Sequence, residues 1–456
     1  MEHTWQQTLL FLTQGYAVLP LLALGLCAWV VVHPMGRWVI GGETAQPTFS
    51  FASWLCLLFS AGMGTGMLVW GPAEPLMNTL QPITTHGLQH PLVAFHEALA
   101  AAYLHWGVHP WGLYAISSVL ILWLQRQYHA TGLARLKQRA WVRTFVLGLA
   151  FTLVLTLLFG MATTLVSAVV TVQQGLGRLL PASQAEASWV GLSLLLACLG
   201  IALWSATSGL SKGVRYLSEL GVGCAFILWV WVAWQGQQVL HPSDWLASSL
   251  LYGKQFLAFS LGTLPYVDSQ WFSLWTTKNW AWWLSWTPMM GLFGILTSYG
   301  RQLRTLVLAM VLIPSLMAWL WFSILGSVTH GVLEPQLTSL SWQQAPSVLV
   351  QLLQALHTPS WGLLAVLALC LVFAINSADS MLSCLVNASK GFVVKQPSLF
   401  SSYVYWGAGL TVISLGLWLT HSVEDLQWAI LIAGVPYGVL FFGLLLALLF
   451  SRLLTK

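Results

Sequence analysis

The chain is 456 residues long, 57% hydrophobic and only 6% charged. A soluble domain carries roughly 25% charged residues, so a water-soluble globule is excluded and most of this surface must face lipid. The net charge of +5 says little by itself, but Trp is anomalous: 28 of them outnumber the 17 Lys and Arg together.

A hydrocarbon core of about 30 Å takes about 20 apolar residues per helix. The first such run is 9–33, ending at the turn His33-Pro34-Met35-Gly36. Glu2 and the lack of a basic region before this run argue against a cleavable signal peptide. The second run, 51–71, contains Ser60-Ala61-Gly62-Met63-Gly64-Thr65-Gly66. Glycines at i, i+2 and i+4 fit poorly on one packing face, and they free carbonyls for a ligand or ion. A broken helix at membrane depth is expected only around a cavity.

After a loop from Pro82 to Gln89, the third run, 92–125, carries His105-Trp106-Gly107-Val108-His109-Pro110-Trp111-Gly112-Leu113-Tyr114, with Pro110 predicting a local break or bend. Runs at 144–172, 188–207 and 218–239 follow. Segment 242–266, with Ser243, Asp244 and Lys254, reads as an interfacial helix. The next run, 270–298, contains Trp280, Trp282, Trp283, Trp286 and Pro288, and Trp282–Pro288 is the second segment expected to break. Runs at 305–328, 359–388, 402–420 and 427–452 bring the count to eleven.

The two breakable segments lie in the second and seventh runs, five apart. Runs two to six and seven to eleven then form two five-helix repeats, each opening on a discontinuous helix, which is the sequence pattern of a transporter site. The division expected is 1–50 outside the repeats, 51–240, an interfacial segment 241–269, and 270–456. With the N-terminus outside and the C-terminus in the cytoplasm, fourteen of the 17 basic residues fall on the inner side and only Arg178, Lys254 and Lys278 on the outer. The basic residues thus mark a membrane face, and no nucleic-acid role is expected. Six cysteines inside apolar runs, with no CxxC spacing, read as small buried hydrophobes.

Trp106, Trp111 and Tyr114 can converge with Trp283 and Trp286, which are i, i+3 neighbours. A quaternary ammonium has no N–H to donate and is held by aromatic faces, at about 2 kcal/mol or more per desolvated ring. Ordinary aromatic packing is the alternative reading of the same residues. His105 and His109, at i, i+4, have a metal-binding spacing, but Pro110 disturbs that geometry.

These motifs occur in an ordered series that resembles the betaine/choline/carnitine transporter (BCCT) family. The series is SAGMGTGMLVWGPAEPL from Ser60 to Leu76, HWGVHPWGLY from His105 to Tyr114, WTTKNWAWWLSWTPM from Trp275 to Met289, then Gly300-Arg301-Gln302-Leu303-Arg304 and Asn376-Ser377-Ala378-Asp379-Ser380. The resemblance runs from about residue 10 to the C-terminus. It implies an all-α integral membrane protein of five-plus-five inverted-repeat fold, usually a homotrimer, that moves a quaternary-ammonium solute (glycine betaine, choline or carnitine type) by alternating access. It is not an enzyme by this resemblance; a non-transporting receptor on the same fold is a further alternative.

By the resemblance, the aromatic box falls on Trp106, Trp111, Tyr114 and Trp283. Trp282 and Trp286 line the pathway, Gly62, Gly64 and Gly66 and Met290 adjoin the substrate, and Phe293 is a cytoplasmic-side gate. The family generally has twelve helices, and its first has no counterpart here. Long osmosensing tails are also absent, so tail-based regulation is not expected. In sodium-coupled members the ion site corresponds to the carbonyls of Ser60, Met63 and Phe373 and the side chains of Asn376 and Ser377. Asn376 stands where the family usually has Thr. A sodium-independent carnitine antiporter branch has an Arg that corresponds to about Gly221, and a Met that corresponds to Met290. The expectation is sodium symport, with proton coupling or exchange as the alternative and no other cofactor. Asp379 is either a functional buried acid or a brace for its helix.

Overall fold

A computed structural model describes residues 15–130, 140–181, 188–263, 269–389, 398–419 and 423–453. The start of the first run and six of the fourteen inner basic residues (Arg135, Lys137, Arg139, Lys390, Lys395 and Lys456) lie outside the described residues.

Helices occupy all eleven expected runs. They are α1 (Val18–Val32), α2 (Phe51–Leu80), α3 (Pro91–Trp106) with α4 (Val108–Ala130), α5 (Ala140–Leu176), α6 (Ser188–Ser208) and α7 (Arg215–Gln235). After the short α8 (Pro242–Lys254) and α9 (Phe256–Leu261) come α10 (Lys278–Thr297), α11 (Leu303–Leu333), α12 (Val348–Ala355), α13 (Ser360–Ser389), α14 (Leu399–Trp418) and α15 (Val423–Leu453). No strand forms among the described residues; an isolated antiparallel bridge joins Val39 to Gln302. Seven spans among the described residues are long and apolar enough to cross a bilayer, eight when the bent α2 is included. Large apolar side chains stand fully outward, such as Trp204 at 72%, Ile227 at 68% and Trp361 at 73% exposure. Water would not tolerate that surface, and acyl chains suit it.

The core lies around α2 and α10. α2 packs against α3, α7, α11, α12 and α13, and α10 against α2, α4, α5, α13 and α15. α2 runs beyond its expected end, through Pro72 and Pro75 to Leu80, and its parts Phe51–Gly62 and Gly64–Leu80 meet at 63°. The bend therefore falls in the glycine-rich segment, as expected.

Other expectations need correction. The third run is two helices, and the break is at Gly107, three residues before Pro110. A Cβ at 107 would strike the Tyr103 carbonyl oxygen, so glycine is required there. Pro110 sits in the first turn of α4, where its missing N–H has no helical partner to lose.

The expected break at Trp282–Pro288 is not present. α10 is continuous through Pro288, and the irregular stretch is a π turn upstream, Phe272–Thr277. Proline leaves the carbonyl four residues back without its helical donor. That carbonyl, Leu284 O, accepts instead from Thr287 Oγ1 at 2.7 Å. The hydroxyl repairs the ladder locally, as neighbouring Ser and Thr side chains do in membrane helices.

α12 was not anticipated. Eight residues fall short of a span, yet it follows a 3-10 turn at Ala345–Ser347 and buries Val348, Leu349, Val350, Leu352 and Leu353. The segment expected as an interfacial helix is α8 plus α9. Asp244 of α8 takes a contact from His96 Nε2 at 3.1 Å, and Trp245 Nε1 donates to Ser327 Oγ at 3.0 Å. All six cysteines are free thiols. Four are buried as read from sequence, while Cys56 and Cys224 are half-buried.

Candidate functional site

The glycine-rich bend of α2 sets the site. Successive helical residues turn by about 100°, so Gly62 and Gly66 face nearly the same way and Gly64 faces the other. Each admits a different side chain. A Cβ on Gly62 would come within 2.9 Å of Met290 Cε and of the Trp111 ring, and 3.3 Å of Tyr114. A Cβ on Gly66 would lie 2.9 Å from the Trp106 ring and 3.4 Å from Trp282. A Cβ on Gly64 would lie 2.8 Å from Phe373 Cβ. The glycines thus serve close approach of rings to the backbone.

On the Gly62 and Gly66 side the rings form one cluster. Trp283 lies 5.5 Å from Trp106, 6.3 Å from Trp111 and 5.2 Å from Tyr114, centroid to centroid. Trp111 and Tyr114 are 5.4 Å apart and edge-on. Trp282 joins at 5.7 Å from Trp106 and 5.0 Å from Trp283. Trp106, Trp111, Tyr114 and Trp283 are at most 2% exposed. At these distances the rings touch one another. Trp111 Nε1, Tyr114 OH and Trp283 Nε1 are buried and make no hydrogen bond. Trp286 points elsewhere, towards Gly160 of α5. Met290 is buried against Gly62, and Phe293 is fully buried one turn of α10 further on.

Glu74 is a site residue that was not singled out. Its Oε1 lies 2.6 Å from His105 Nδ1, and its Oε2 accepts from Trp106 Nε1 at 2.6 Å. His105 Nε2 reaches Thr276 Oγ1 at 3.0 Å, in the π turn before α10. A buried carboxylate thereby fixes the ring plane of Trp106, and the chain Glu74–His105–Thr276 ties α2 and α3 to the entry of α10. Glu74 belonged to the quoted AEPL stretch, and its presence in an apolar helix was the available signal. His105 and His109 do not converge. His109 faces Ser260 at 2.8 Å and Tyr252 at 3.1 Å, and no cluster of three or more metal-ligating groups occurs among the described residues.

A half-open cavity of about 150 Å³ reaches the cluster, and Thr65, Gly66, Glu74, Trp106 and Trp282 are among the residues that line it. A second aromatic group lines the same cavity, where Trp342 lies 5.4 Å from Trp70 and 4.3 Å from Trp275, with Lys278 Nζ 5.1 Å from the Trp342 ring. The opposite end is closed. Trp54 Nε1 donates to Ser298 Oγ at 2.9 Å, and Arg301 donates to the Phe49 carbonyl at 2.7 Å while stacking 4.3 Å over Trp54. Backbone bonds Ile40 N to Arg301 O and Leu303 N to Trp38 O knit the two loops together.

The residues expected around an ion are also grouped. Asn376 Nδ2 donates to Ser60 Oγ at 2.8 Å, and its Oδ1 accepts from Ser218 Oγ at 3.0 Å. Ser377 Oγ reaches the Ala61 carbonyl at 3.5 Å, and Met63 is at the bend of α2. Asp379 accepts from Ser205 Oγ at 2.6 Å, and so braces α13 against α6.

A family model described as BCCT, betaine/carnitine/choline family transporter, matches residues 3–454. An uncharacterized transporter of Haemophilus influenzae is 32% identical over 91% of this chain; the chain spans 63% of that protein's length. An ectoine/hydroxyectoine transporter of Virgibacillus pantothenticus is 29% identical over 92% of this chain and 84% of its own. The glycine betaine transporter OpuD of Bacillus subtilis is 28% identical over 99% of this chain and 90% of its own.

Proposed function

The chain belongs to the betaine/carnitine/choline transporter (BCCT) family, and from that premise we propose that it carries a quaternary-ammonium carboxylate of the glycine betaine type across the membrane by alternating access. Membership also carries the all-α inverted-repeat fold, and it sets the chain among transporters rather than enzymes.

The observation that carries the proposal is the buried ring cluster with its unpartnered donors. The faces of Trp106, Trp111, Tyr114 and Trp283 offer the negative potential that a cation without N–H groups requires. Trp111 Nε1, Tyr114 OH and Trp283 Nε1 are donors without a partner, and a solute carboxylate accepts from such groups. Choline has no carboxylate to offer them, which ranks it below betaine. The solute enters from the half-open cavity past Trp106 and Trp282, parts the rings, and is released when the seal at Trp54, Ser298 and Arg301 opens. Phe293 lies between cage and seal and acts as the inner gate.

The repeats 51–240 and 270–456 are the bodies that move. We place the N-terminus outside and the C-terminus inside a bacterial-type inner membrane, from the sidedness of the basic residues. A homotrimer is the assembly expected by analogy with the family. Uptake of labelled glycine betaine into proteoliposomes, competed by choline, carnitine and ectoine, tests the reading. Failure of every methylated solute to compete or accumulate refutes it.

A further inference from the structure

The junction of α2 and α13, against which α7 packs, is where the family resemblance puts a coupling sodium, and the Asn376 side chain there is not turned to receive one. Sodium, a hard cation, needs oxygen lone pairs directed into its site. Asn376, fully buried, turns its amide oxygen to Ser218 on α7 and presents its NH2 to Ser60 on the glycine-rich helix. An amide NH2 has two protons to donate and no lone pair for a cation. Both partners are hydroxyls, which donate or accept, so turning the amide over would keep two hydrogen bonds, but the amide oxygen would then meet the Ser60 hydroxyl 2.8 Å away rather than an open site.

The space is filled as well. Phe373, one turn earlier on α13, is wedged between two glycines. A Cβ on Gly64 would lie 2.8 Å from its Cβ, and a Cβ on Gly221 would lie 2.9 Å from its ring. Gly221 itself therefore cannot bring a side chain to the junction without moving that ring. α7 reaches it instead from Ser218, three residues earlier, whose hydroxyl is fully buried.

We infer that the Asn376 amide takes the place of a cation, tying α2, α7 and α13 together through Ser60 and Ser218, and that the protein binds and moves its solute without sodium. A buried polar network with every member satisfied rigidifies its surroundings, which is the structural service a bound ion would otherwise provide. The transport half of this inference rests on the solute reading above; the amide link is a property of the solute-free protein and is tested there.

The experiment has two arms. In the first, the melting temperature of purified, solute-free protein is measured across a titration of NaCl and of KCl at matched ionic strength. A ligand that binds only the folded state raises it with concentration. The expected result is one curve for both salts, a fall in Asn376→Ala that is equal in both, and non-additivity between Asn376→Ala and Ser60→Ala or Ser218→Ala, as for members of one network. A sodium-specific, saturable rise in the wild-type protein overturns the inference, whether or not the variants fold. In the second arm, glycine betaine uptake into proteoliposomes is compared in sodium and potassium media. Equal uptake supports the inference, and a strict sodium requirement overturns it. If no methylated solute is taken up in either medium while the first arm gives one curve, the solute reading fails and the amide link stands.

Discussion

Replacing Trp283 by leucine separates a cation cage from mere aromatic packing. The Trp283 ring is fully buried, with the rings of Trp282, Tyr114, Trp106 and Trp111 at 5.0, 5.2, 5.5 and 6.3 Å. Leucine keeps an apolar side chain at this position and removes the π face. A desolvated cation–π contact is worth about 2 kcal/mol, which is about 30-fold in Kd at 1.4 kcal/mol per tenfold. The assay is a titration of purified protein with glycine betaine and with its carbon isostere, in which a tert-butyl group replaces trimethylammonium. Wild-type protein is expected to prefer the cation by more than tenfold, roughly the worth of one ring or more. Trp283→Leu should lose about 30-fold in betaine affinity and little for the isostere, while Trp283→Phe should retain most of the preference. The reasoning is refuted if Trp283→Leu weakens both compounds equally, or neither.

Three further outcomes are expected. Glu74→Ala leaves the buried Trp106 Nε1 without its acceptor and strips His105 of its carboxylate contact; it should lower stability by about 1–3 kcal/mol and weaken betaine binding, whereas Glu74→Gln, which can still accept from the indole, should do less in thermal melts and titrations. Gly64→Ala drives a Cβ to 2.8 Å from Phe373 Cβ, an overpacking worth about 1–3 kcal/mol; Gly223→Ala, with nothing within 4 Å, should be close to neutral in the same melting assay. Thr287→Val removes the donor to Leu284 O and should cost about 1–3 kcal/mol. The part owed to Leu284 O should vanish in a Pro288→Ala background, where a backbone N–H returns, leaving the part owed to the Thr287 contact with Tyr437; equal losses in both backgrounds would show that the hydroxyl is not the cap.

The legible parts of this molecule were those written in long apolar runs and in aromatic clusters. Eleven runs gave eleven helical positions because a span needs about 20 apolar residues, and no shorter pattern imitates that. α12 escaped for the same reason, since eight residues fall below the length that such scanning detects. Trp106, Trp111, Tyr114 and Trp283 do come together, because the break at Gly107 lets α3 and α4 carry their rings to the same face of α2. Spacing alone left open whether they met, since i, i+5 and i, i+8 along a broken helix define no common side. Glu74 was hidden by its context: a carboxylate between alanine and proline shows no partner until His105 and Trp106 are folded against it. Asn376 was visible as a departure from the family's Thr, but the direction of its amide depends on Ser218, which lies 158 positions away.

The proline in α10 has one more consequence. An ordinary transmembrane helix resists bending because each new kink strands a carbonyl in a medium with nothing to solvate it. In α10 the vulnerable carbonyl, Leu284 O, is held by a hydroxyl only three residues away on the same helix, and Pro288 has no backbone proton to lose. The donor travels with the acceptor. α10 can therefore hinge at this point, between Trp283 and Phe293, while the one carbonyl that lacks a backbone donor stays hydrogen-bonded to Thr287.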